Sequence, residues 1–68
     1  MVFNEYYTPS AVKNWCGLQN PTINVGELFS RAQFKWTDFA GDNFEKRLTK
    51  YEAARLNVAL YAVGYKTA

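Results

Sequence analysis

The only thiol in the chain, Cys16, is the first place to look for chemistry. A nucleophilic cysteine or serine needs a base to take its proton, and the 68 residues include no histidine. Ser-His and Cys-His triads are therefore impossible. One thiol without histidine is not a metal site either. Cys16 follows Trp15 on what reads as the apolar face of a short helix, the setting of a buried structural thiol. The six acidic residues are scattered, with Asp38 and Asp42 the closest loop pair, and Asp42 stands where a helix cap is needed. The glycines at 17, 26, 41 and 64 are isolated, so no phosphate-cradling loop exists. These absences predict a protein that is not an enzyme, with no cofactor, no metal and no small-molecule substrate.

Aromatic side chains are the other resource. The chain holds five Phe, five Tyr and two Trp, more ring surface than so short a polypeptide easily hides. Residues 34–39 read FKWTDF, which interleaves rings with charge as a stacking platform for single-stranded nucleic acid does. Such a platform also needs an electrostatic groove, and Lys35 is the only cation within the segment. Phe34, Trp36 and Phe39 are better read as core or partner-facing residues. Eight basic and six acidic residues leave a net charge of +2, far from the profile of non-specific nucleic-acid binding.

Sixty-eight residues make one small domain, spanning 1–68. A chain this size buries only roughly 60% of its unfolded surface. No disulfide is available to compensate, so stability must come from dense packing or from association. The opening MVFNEYYTPS has no basic region leading into an apolar run, unlike a secretory signal. The longest apolar-rich stretch, residues 56–65, is about half of what a bilayer crossing needs. The expectation is a protein without a membrane partner, cytoplasmic or carried within a viral particle.

The elements follow from local signals. Residues 1–7 read as an extended arm. Thr8 caps a helix whose first residue is Pro9, where a missing N–H costs nothing. That helix is expected to run to about residue 16, with Ala11, Val12, Trp15 and Cys16 on one face and Gly17 as a left-handed end. Asn24 and Glu27 form a capping box, and Ile23 and Leu28 a hydrophobic staple, opening a second helix over 25–33. Its buried stripe is Val25, Leu28, Phe29 and Ala32. Residues 34–39 suit either a short β pair or an irregular corner. Two further capping boxes, Asp42 with Glu45 and Thr49 with Glu52, open the last helix, which either spans 43–63 or breaks near Thr49. Leu56, Ala59, Leu60 and Val63 form its core stripe; Phe44, Leu48, Tyr51, Val58 and Tyr61 spread onto another. Gly64 ends it, and Tyr65 folds back over the last turn.

Residues 7–24, YTPSAVKNWCGLQNPTIN, carry a pattern of their own. Tyr7, Thr8, Val12, Gly17, Leu18, Thr22 and Ile23 fall where the N-terminal helix-turn-helix of MerR-like and excisionase-type regulators has its cap, turn glycine and Thr-Ile. The stretch resembles that motif over about 18 residues. The resemblance implies DNA binding, with Lys13, Asn20, Asn24 and Arg31 around the turn as the contacting side chains. The sequence departs from it at Lys13, where the family has alanine, and at Trp15 and Cys16, which replace small aliphatics. The second helix carries Glu27 and no basic residue before Arg31.

The fold expected is all-α, mainly helical: a small three-helix domain with an extended N-terminal arm, the β pair near 34–39 left open. The last helix is apolar almost all round from residue 56 onward, and two short helices cannot wrap it. The function expected is protein–protein interaction, by a small accessory or structural subunit that docks on itself or on a larger assembly, through Val58, Tyr61 and Tyr65 with Tyr6 and Tyr7 of the arm. DNA binding by the helix-turn-helix is the alternative.

Overall fold

Thr8 turns the arm into the first helix. Its hydroxyl accepts the Ala11 N–H at 3.1 Å, and Pro9 follows at the first helical position. The structure, a computed structural model, describes residues 2–39 and 41–65. Helix α1 spans Pro9–Leu18, two residues longer than the pattern predicts, and Gly17 lies within it. No left-handed residue ends α1. The Cys16 carbonyl instead accepts the amides of Gln19 (3.4 Å) and Ile23 (3.1 Å), so the helix stops on an extended Gln19. The connection then passes through a cis Asn20–Pro21 bond.

Helix α2 spans Val25–Arg31. Asn24 caps it as expected, its Oδ1 accepting the Glu27 N–H at 3.0 Å. The Glu27 carboxylate accepts from Arg31 Nε at 3.2 Å. The helix ends sooner than residue 33 because Gln33 adopts a left-handed φ of 64°. Phe34 N–H then donates to the Phe29 carbonyl at 2.9 Å and Gln33 N–H to Ser30 at 3.0 Å, the paired bonds of a helix end usually closed by glycine.

The β pair does not form. Residues 34–39 enter one 3₁₀ turn, Trp36–Phe39, and a second follows at Gly41–Glu45; the described residues contain no strand. Phe34 and Phe39 both pack on Phe29, with ring centroids 6.5 and 5.1 Å away, and meet each other edge to face at 5.7 Å. Two residues five apart cannot share a face in a strand of period two, so burying both rings demands a coiled backbone. Of the two reading frames for the last helix, the broken one is realised. Helix α3 spans Lys50–Ala62 behind the reciprocal Thr49–Glu52 capping box, with bonds of 2.8 and 3.1 Å. Leu48 N–H just before it donates to the Tyr7 carbonyl at 2.8 Å, which pins the break against the arm. At the far end Gly64 takes a φ of 95°, and Tyr65 N–H reaches back to Leu60.

The core sits between the three helices. Val12, Leu28 and Leu56 are fully buried at its centre, and Phe29, Cys16 and Phe3 close around them. Trp15 is half-buried, held edge-on between Phe3 at 5.1 Å and Tyr65 at 5.3 Å. The arm lies inside this packing through Phe3, whose backbone is gripped by the buried Asn57 of α3.

Candidate protein-docking surface

Helix α3 is apolar on two opposite faces. At 100° per residue, Ala53, Leu56, Ala59 and Leu60 fall on one side, and all four are buried. Tyr51, Ala54, Val58, Tyr61 and Ala62 fall on the other, and all five are exposed. The large members of the outer face are open to solvent by 67% (Tyr51), 71% (Val58) and 59% (Tyr61). A helix needs one apolar face to join a core; the second is left towards solvent.

The surroundings give that face relief. On one flank a groove of about 340 Å³ runs between the end of α2 and α3, over Ala32, Ala54 and Val58. On the other flank a groove of about 320 Å³ lies between α3 and the arm, bounded by Tyr6, Lys50 and the same Ala54. Arg55 forms part of the first rim. Its guanidinium stacks on Phe34 at 4.6 Å and on Tyr51 at 5.3 Å, and donates to Gln33 Oε1 at 3.0 Å. That Gln33 is the one non-glycine residue with positive φ among those described, an arrangement that costs of order 1 kcal/mol and is retained beside the groove.

The residues expected at an interface divide. Val58 and Tyr61 stand on the outer face of α3. Tyr65 turns inward onto Trp15, and Tyr7 meets Phe3 edge-on at 5.3 Å, so both are half-buried within the chain rather than turned to solvent. Tyr6 is 71% exposed on the arm, with the Arg47 guanidinium 5.3 Å from its ring centre. Tyr51 and Ala54 complete the outer face. The sequence already sets Tyr51 on this second stripe, and Ala54 joins it because 51, 54, 58 and 61 share one side of a helical wheel.

The residues implied by the helix-turn-helix resemblance lie apart in the chain's elements. Lys13 is exposed on α1, Asn20 in the connection, Asn24 at the cap of α2 and Arg31 in its last turn. Asn24 spends its side-chain oxygen on the cap, and Arg31 is paired with Glu27. Between its cap and its end, α2 exposes Gly26, Glu27, Ser30 and Arg31, an acid and a cation in balance.

Cys16 is buried, and loss of hydration pushes its thiol up to about 11. No group of three or more metal-ligating side chains is found among the described residues. No described helix is long and apolar enough to cross a membrane. Neither a family model nor a curated protein nor a solved structure matches the chain.

Proposed function

We propose that this chain is a non-catalytic protein-binding module, a small accessory or structural subunit, and that it docks through the outer face of α3. One observation carries the reading: Tyr51, Val58 and Tyr61 are each more than half exposed on the side of α3 opposite its core stripe. Exposing such a row costs hydration free energy in the isolated chain, and a protein partner recovers it. Tyrosine suits the task because its ring packs while its hydroxyl keeps a hydrogen bond. The two flanking grooves give a partner's side chains somewhere to go. For DNA reading the support is thinner, since Arg31, the one cation of α2, is already paired with Glu27.

The test is a photo-crosslinkable residue in place of Val58, in cells that produce the protein. A discrete covalent adduct is expected, and it should fade when Tyr51→Ser and Tyr61→Ser are added. Absence of any protein adduct removes the docking reading.

A further inference from the structure

We infer that the segment docked on this face is acidic: a stretch of a different protein whose carboxylates pair with Arg55 and Lys50 and whose apolar side chains cover Ala54 and Val58. This rests on the docking reading above and goes beyond it in naming the chemistry of the partner.

The cations of the chain are not spread evenly. Residues 46–55 hold Lys46, Arg47, Lys50 and Arg55, half of its eight basic side chains, against the single acid Glu52. The Glu52 carboxylate already accepts the Thr49 N–H at 2.8 Å. Among the described residues the one ion pair is Arg31 with Glu27, so neither Lys50 nor Arg55 has a carboxylate partner among them. On the helical wheel the two flank the outer face, Arg55 on the rim of the first groove and Lys50 on the rim of the second, with Ala54 lining both. Arg47, 5.3 Å from the centre of the Tyr6 ring that bounds the second groove, extends the cationic edge towards the arm. Glu5 is the one acid that lines either groove.

Arg55 is the better prepared of the two. It is half-buried, stacked on Phe34 at 4.6 Å and on Tyr51 at 5.3 Å, and it donates to Gln33 Oε1 at 3.0 Å. These contacts hold the planar fork in place and strip part of its water, yet every one of them is to a neutral group. A carboxylate that meets the fork gains charge-assisted, bidentate hydrogen bonds without first ordering a flexible side chain.

The far half of the face selects a polypeptide over a nucleic acid. Residues 56–62 carry no ionic side chain, and Val58 and Ala62 are exposed there. Single-stranded nucleic acid repeats its phosphate at every nucleotide and needs cations along the whole track. Here the cations stop at Arg55 while aliphatic surface continues for about two further turns. A segment that mixes carboxylates with apolar side chains, as an amphipathic helix does, meets both halves.

The photo-crosslink at position 58, with mass spectrometry of the adduct, gives the test. The partner peptide recovered should carry Asp or Glu within about four residues of the attachment point. Lys50→Glu and Arg55→Gln, each added to the crosslinking chain, should lower the adduct yield about tenfold. Arg55→Lys should recover only part of the loss, because the ammonium keeps the charge without the fork. Lys50→Glu sets an acid in the first turn of α3, where the helix dipole favours it, so the fold is retained in that variant. Circular dichroism checks the Arg55 variants. Three results overturn the acidic segment and leave the docking reading standing: a yield indifferent to both Lys50→Glu and Arg55→Gln, a partner peptide with no carboxylate near the attachment point, or a peptide from a second copy of this chain. An adduct with nucleic acid in place of protein overturns both readings together.

Discussion

Asn57 holds Phe3 by its backbone from both sides. The carboxamide Oδ1 accepts the Phe3 N–H at 2.8 Å while Nδ2 donates to the Phe3 carbonyl at 2.9 Å, and Oδ1 also accepts the Val2 N–H at 3.1 Å. One side chain thus does for the arm what a neighbouring strand would do, satisfying buried backbone groups that have no helix or sheet to join.

Asn57→Asp keeps the shape and removes the donor, setting two acceptor oxygens against each other in a buried site. At neutral pH it is expected to cost about 2–4 kcal/mol, as an unsatisfied carbonyl and a desolvated carboxylate together. Burial raises the folded-state pKa of such an acid above its unfolded value. The folded state then binds the extra proton, so stability should be greatest in acid and fall as pH rises. Urea titrations of the variant at about pH 4 and 7 test the sign.

Phe3→Ala leaves the grip on the backbone and removes the ring that Tyr7 and Trp15 meet edge-on. A fully buried phenylalanine truncated to alanine costs about 3–5 kcal/mol. For a domain of this size that is comparable with total stability. Thermal unfolding should show the loss, together with collapse of the near-ultraviolet circular dichroism of the aromatic cluster. A melting temperature within a few degrees of wild type would detach the arm from the core.

Gly17 and Gly64 should respond oppositely to alanine. Gly17 sits inside α1 with open space where a Cβ would stand, so Gly17→Ala should stabilise by about 0.5–1 kcal/mol. Gly64 also has open space, but its φ of 95° strains any side chain, and Gly64→Ala should cost about 1 kcal/mol. Chemical denaturation of the two variants side by side gives the comparison.

Burial of Cys16 makes the folded state hold its thiol proton more tightly than the unfolded chain does. The folded pKa, about 11, lies above the ordinary 9.0. The contribution is therefore level below about pH 9 and is lost between about 9 and 11. The stability difference between wild type and Cys16→Ala should narrow over that window. Below it, reaction of the native thiol with a disulfide reagent should be slower than that of the unfolded chain by the factor set by the free energy of exposing Cys16.

Features that depend on neighbours within a turn or two were determined by the sequence alone. Thr8 before Pro9, Asn24 as a cap, Thr49 with Glu52, and Gly64 with Tyr65 each form as their spacing predicts, because donor and acceptor lie within five residues. The core stripes of α2 and α3 follow from the same helical period. Tertiary structure decided the rest. Gly17 stays inside α1, which ends instead where the Cys16 carbonyl takes the N–H of Ile23, a bond across seven positions that no local cap pattern contains. Residues 34–39 coil because both Phe34 and Phe39 must reach Phe29. Asn57 becomes the anchor of the arm through bonds 54 positions apart, which no local window contains. The same is true of the tyrosines. Tyr7, Tyr61 and Tyr65 are alike as residues, and only the path of the arm and the crossing of α3 turn two of them inward and leave Tyr61 on the surface.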